Sequence, residues 1–92
     1  MDKNEARGIL QEFMDDLQTR AREELLGLIA NPACVERTGN SGAVYQIEYE
    51  ALWDAEPGGD LRVMAAIDDG RLLSALKPLT GGFLVSFTGK GS

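Results

Sequence analysis

The strongest constraint on the fold is a regular alternation of apolar and polar residues along residues 43–54. Aromatic or apolar side chains stand at every second position: Tyr45, Ile47, Tyr49, Ala51 and Trp53. The intervening positions are mostly polar and include Glu48 and Glu50. Because successive side chains of a strand point to opposite faces, this pattern predicts a β-strand with one apolar face.

Residues 60–68 alternate in the same way, with apolar residues at Leu61, Val63, Ala65 and Ile67. Pro57-Gly58-Gly59 lies between the two segments and is typical of a turn. Folding the chain there aligns the two apolar faces and sets Ile47 opposite Ile67. A shift of one residue would turn one apolar set to the wrong face. The sequence therefore predicts an antiparallel hairpin in this register.

The other predicted elements are a helix and further strands. Apolar residues three and four apart predict one helix over residues 2–30, which Asn31-Pro32 ends. Asp69-Gly70 is typical of a two-residue hairpin turn and would set Leu72 opposite Ile67. Strands are predicted over residues 71–78 and 82–88, and residues 33–38 are a candidate short strand.

Together these elements predict a single domain over residues 1–92 of the α+β class. One long N-terminal helix packs across a four-stranded antiparallel meander, or a five-stranded one if residues 33–38 join the sheet. This topology resembles cystatin-like folds, in which an antiparallel sheet wraps a long helix. The resemblance implies a fold and no function, since the chain has no cystatin-type inhibitory motif.

Composition excludes several classes of function. The net charge of −6 disfavours binding to nucleic acid and to anionic membranes. The chain has no histidine, which removes the commonest general base and metal ligand. We therefore predict no enzyme activity, no catalytic residue, no cofactor and no metal site.

The single cysteine, Cys34, excludes an internal disulfide and is expected to be a buried or half-buried small hydrophobe. The first residues lack the order of a signal peptide, and no apolar run approaches membrane-spanning length. A cytoplasmic location is expected.

The predicted sheet face opposite the helix carries an apolar strip of Met64, Ala66, Leu73, Ala75 and Leu84. An antiparallel sheet covered on one side usually has a polar outer face, and a contiguous apolar patch there usually marks an interface. We therefore expect a small interaction module. Because twofold homodimers are the commonest assembly, a homodimer through this strip is the first expectation.

Two other functions stay open on the sequence. One is a small-molecule site between helix and sheet, near Trp53, Tyr49 and Phe13. The other is neutralisation of a basic protein partner by the acidic helix face together with Glu48 and Glu50. The aromatic stripe of Tyr45, Tyr49 and Trp53 is more typical of a core, since these residues share the helix-facing side of the predicted strand.

Overall fold

The computed structural model of the chain describes residues 2–69 and 79–86. Within them, the elements in order are α1 (Lys3–Gln18), α2 (Arg22–Ala30), β1 (Ala33–Thr38), β2 (Val44–Trp53), β3 (Leu61–Asp68) and β4 (Leu79–Val85). The strands form an antiparallel meander in the order β1–β2–β3–β4. Both helices pack on one face of this sheet. The predicted α+β class with an antiparallel sheet is confirmed.

The central hairpin has the predicted register. Ile47 pairs with Ile67 and Trp53 with Leu61, and both isoleucines are completely buried. The turn between the strands is closed by a hydrogen bond of 3.0 Å from the Gly59 amide to the Glu56 carbonyl. Gly58 has a φ of 87°, which suits glycine at the third position of a type II turn. The candidate strand at residues 33–38 is confirmed as β1.

The prediction of one long helix is wrong, because the chain leaves the helical conformation between α1 and α2. The Thr19 hydroxyl donates to the Asp16 carbonyl at 2.6 Å, and the Arg20 amide donates to the Leu17 carbonyl at 3.1 Å. Ala21 is then extended, with a ψ of 150°. A threonine that bonds back to the preceding turn competes with helix propagation. The cystatin-like architecture, which requires one long helix, is not confirmed.

The predicted pairing of Ile67 with Leu72 is also wrong. Ile67 pairs with Ile47 on one side and with Leu79 on the other, so both of its neighbouring positions are occupied. The strand predicted over residues 71–78 and Gly70 of the Asp69-Gly70 turn lie outside the described residues. The last strand begins at Leu79, three residues before the predicted start of 82–88.

β4, the neighbour of β3 in the sheet, packs against α1. Gly81 pairs with Ala65, and these two small residues lie beneath the helix. A Cβ atom added at Gly81 would lie 3.7 Å from Leu10 and 3.8 Å from Met14. These are ordinary van der Waals distances, so Gly81 marks the place where α1 contacts β4, while Phe83 and Val85 of the same strand pack against the core.

The core lies between the helices and the inner sheet face. α1 lies over β3 and β4, whereas α2 lies over β2. The buried apolar residues are Ala6, Leu10, Phe13, Met14, Leu17, Leu25, Tyr45, Ile47, Ala51, Leu61, Val63, Ala65 and Ile67. The break between the helices thus allows one apolar segment to cover three strands.

We predict that Ile47→Ala destabilises the protein by about 2–5 kcal/mol, because it leaves a cavity beside Ile67 in a packed interior. The neighbouring Glu48→Ala is the matched control and is expected to cost less than about 0.5 kcal/mol, since Glu48 is exposed. Urea unfolding measures both changes. A larger loss for Glu48→Ala would show that the two faces are assigned the wrong way round.

We predict that Ala21→Asp stabilises the protein by about 1 kcal/mol. Ala21 is the N-cap of α2 and makes no side-chain capping bond, so an aspartate there can accept from a free amide of the first turn. Thermal unfolding followed by circular dichroism should show a higher Tm. Ala30→Asp at the other end of α2 is the control, because a carboxylate there opposes the helix dipole. An unchanged or lower Tm for Ala21→Asp would contradict the capping interpretation.

Candidate functional site

The face of the sheet opposite the helices, which we call the outer face, is the main candidate site. Alternation along each strand assigns its residues, and the strand register aligns them across the sheet. They are Cys34, Glu36, Thr38, Val44, Gln46, Glu48, Glu50, Leu52, Arg62, Met64, Ala66, Asp68, Thr80, Gly82 and Leu84. None is buried among the residues that the structure describes.

Four large apolar side chains of the outer face are exposed. The exposed fraction is 46% for Val44, 45% for Leu52, 38% for Met64 and 51% for Leu84. On the inner face, by contrast, Ile47, Leu61, Val63 and Ile67 are completely buried. The two faces of one sheet therefore differ in what covers them, and the outer face departs from the polar surface usual for a solvated antiparallel sheet.

A depression of about 410 Å³ lies on the outer face and reaches the end of the α2–β1 connection at Pro32. Met64, Ala66 and Cys34 contribute to its lining, together with the carboxylates Glu48 and Glu50. Met64 is paired with Glu50, and Ala66 is paired with Glu48. Each carboxylate thus stands directly beside an apolar side chain of the neighbouring strand.

A second depression of about 430 Å³ adjoins the first one over β3 and β4. Met64 and Thr80 line both. Gly82, which pairs with Met64, has no side chain to fill this space, and Leu84 lies at the same depression. A depression therefore lies on each side of Met64 in the apolar part of the outer face.

Charge is distributed unevenly over the outer face. Glu36, Glu48 and Glu50 lie on β1 and β2. Arg62 of β3 is bound to the Asp54 carboxylate, with its Nε 3.0 Å from Oδ1. Within residues 2–69 and 79–86, the side chains of Glu48 and Glu50 make no hydrogen bond or ion pair. These two carboxylates are thus available for a cation from outside the described part of the chain.

Of the predicted interface residues, Met64, Ala66 and Leu84 lie together on the outer face. Leu73 and Ala75 lie outside the described residues. Sequence reasoning missed Thr80 and Cys34. Cys34 is exposed and contributes to the first depression, so the expectation of a buried or half-buried thiol is wrong. Pairing with Glu48 in the register of β1 on β2 places Cys34 on the outer face, and the sequence of β1 alone does not encode this register.

The predicted ligand residues lie on the helix side of the sheet. The rings of Phe13 and Tyr49 meet edge to face, with 4.9 Å between their centroids and 69° between their planes. The Arg22 guanidinium lies over the Trp53 ring at 5.9 Å and donates to the Gly59 carbonyl at 2.6 Å. Packing of this kind is typical of a core with a polar edge. The small-molecule site there stays a prediction.

Glu5 forms the other notable polar cluster, at the loop between β1 and β2. Its Oε1 accepts from the Tyr45 and Ser41 hydroxyls, each at 2.7 Å, and its Oε2 accepts from the Ser41 amide at 2.9 Å. A Cβ atom added at Gly39 would lie 2.5 Å from this carboxylate, so a larger residue there would displace the Glu5 side chain. The cluster ties the start of α1 to the sheet and serves the fold.

Among the residues described, no group of three or more His, Cys, Asp or Glu side chains is placed to hold a metal ion. No helix in that part of the chain combines the length and the apolar character needed to cross a membrane. Comparisons with protein-family models, with curated protein sequences and with solved structures found no match.

The Glu5 cluster predicts how stability depends on pH. Hydrogen bonds from Tyr45 and Ser41 lower the pKa of Glu5 below its ordinary value of 4.5. The folded state therefore binds a proton on Glu5 less readily than the unfolded state, and this contribution to stability is lost as the pH falls through the folded pKa. The bond to Glu5 and burial raise the pKa of Tyr45 from 10.0 to about 12, so a second contribution is lost as the pH rises between those values.

We expect Glu5→Gln to flatten the fall of Tm on the acid side, and Tyr45→Phe to flatten it on the alkaline side. Thermal unfolding across the pH range measures both. Glu12→Gln is the control, because it removes an equal charge from an exposed position on the same helix. If Glu5→Gln and Glu12→Gln changed the fall of Tm at acid pH equally, general charge repulsion would explain that fall and the hydrogen bonds of Glu5 would not.

Proposed function

We propose that this protein is a small interaction module that binds a protein partner through the outer face of its sheet. The observation that supports the proposal is the exposure of Met64, Leu84, Leu52 and Val44 on a face that no described element covers. Met64 and Leu84 line the depressions of this face, and exposed apolar side chains at a depression are typical of a surface that another molecule covers. Catalysis and a cofactor form no part of the proposal, and we expect the module to act in the cytoplasm.

The assembly predicted from the sequence, a homodimer, is one form that such binding can take. A second copy would have to cover Met64 and Leu84 with a face that itself carries Glu36, Glu48 and Glu50. The mass of a cross-linked product distinguishes a second copy of this 9.9 kDa chain from a different protein. Binding of a small molecule is the other open function, and the outer depressions have volumes in the range of ligand sites.

The single cysteine gives a direct test, since Cys34 is exposed on the outer face. We expect a photoactivated cross-linker attached to Cys34 to join the protein to a partner in an extract of the cells that produce it. Met64→Asp should abolish this product, because binding would bury an unpaired charge. Ala21→Asp, which adds an equal charge at the helices, should leave the product unchanged.

The matched control places the same cross-linker on the helix side, in a Cys34→Ser/Glu12→Cys variant. A product of the same yield from position 12 would contradict binding through the outer face. So would a product from Cys34 that persists in Met64→Asp. Circular dichroism of each variant establishes that it is folded.

A further inference from the structure

We infer that the partner of the outer face is a basic segment of another protein that presents cationic and apolar side chains on one side. The cationic side chains would contact Glu48 and Glu50, and the apolar ones would contact Met64 and Ala66. This inference rests on the proposed function and specifies the chemistry of the partner.

The first step concerns the positions of the two carboxylates and the two apolar residues beside them. Strand pairing sets Glu50 beside Met64 and Glu48 beside Ala66 across the β2–β3 ladder. All four line the depression of about 410 Å³. A ligand seated there meets a carboxylate and an apolar surface at once. The stem of an arginine or lysine can pack on the apolar side chains while its charged end stays near a carboxylate and water.

The second step concerns which charged side chains of the outer face already have an ion-pair partner. The carboxylates of Glu48 and Glu50 have no hydrogen-bond or ion-pair partner in the part of the chain described by the structure. Arg62, a cation of the same face, is held by Asp54 through two of its nitrogens. A basic partner would supply the positive charge that these carboxylates lack among the described residues, and charge complementarity favours such a partner.

The same charges disfavour a second copy as the occupant. Each chain has a net charge of −6, and its outer face carries Glu36, Glu48 and Glu50 on neighbouring strands. Two such faces packed together bring like charges close, and juxtaposed like charges suppress a wrong partner. A basic segment avoids this repulsion and covers the same apolar side chains.

The test is a titration followed by fluorescence anisotropy, using a labelled peptide rich in arginine and leucine, with both residue types on the same side of the extended chain. A matched peptide of glutamate with leucine tests the role of charge. A matched peptide of arginine with serine tests the role of apolar contact. The key variant is Glu48→Gln/Glu50→Gln. Its matched control is Glu12→Gln/Glu24→Gln, which removes the same charge from exposed positions on the helices. Thermal unfolding establishes that every variant is folded.

We expect the wild type to bind the arginine–leucine peptide more tightly than either other peptide. Glu48→Gln/Glu50→Gln should weaken this binding about fivefold, the effect of losing two exposed ion pairs. The control pair should change it less than about twofold, since only screened long-range charge is lost. Met64→Ser should weaken binding of arginine–leucine and leave arginine–serine unchanged.

Equal losses in the two double variants would overturn the inference, because binding would then follow net charge alone. Failure of the wild type to bind the arginine–leucine peptide would also overturn it. Equal binding of glutamate–leucine that depends on Met64 would overturn the basic partner and leave the proposed outer-face function standing. Light scattering gives a further outcome. If the wild type has the mass of a dimer and Met64→Asp has that of a monomer, the occupant is a second copy, which would overturn the basic partner and leave the proposed outer-face function standing.

Discussion

The pairing of β2 with β3 is the constraint on which the rest of the structure depends. Ile47 and Ile67 face each other and are completely buried, so burial of apolar surface fixes the register. A slip of one residue would bring Glu48 and Glu50 into the core. The same register that buries the isoleucines therefore sends these two carboxylates, with Met64 and Ala66, to the outer face. Core and candidate site are two consequences of one ladder.

The helices are fitted to this ladder at both ends by polar anchors. Glu5 of α1 binds Ser41 and Tyr45 at the β1–β2 end, and Arg22 of α2 binds the Gly59 carbonyl at the β2–β3 end. Each anchor satisfies backbone or hydroxyl groups of a loop that strand pairing leaves open. The break after Gln18 lets the two helices take separate positions over β3–β4 and over β2.

The outer face gains its chemistry from what surrounds its apolar residues. Exposed apolar side chains occur singly on most proteins and signify little. Here Met64 lies between two depressions and beside Glu50, which has no ion-pair partner among residues 2–69 and 79–86, while Gly82 leaves space next to it. This combination of apolar surface, free negative charge and vacant volume distinguishes the outer face from the helix side, where charged residues surround a covered core.

The sequence by itself determined the α+β class, the end of the helical segment before Pro32, the central hairpin and its register. These follow from alternation and turn chemistry, which are local. It also placed Met64, Ala66 and Leu84 on one face, since period two assigns faces once the register is known.

The tertiary structure alone decided the break at Thr19 and the choice of Leu79 as the partner of Ile67. A three-residue break leaves the apolar spacing of a helix nearly intact. The Asp69-Gly70 signal predicted Leu72 as the partner of Ile67, but the observed partner is Leu79, whose strand packs Phe83 and Val85 against the core. Cys34 was misplaced for a related reason: its face depends on pairing with β2, which no pattern within its own short strand encodes.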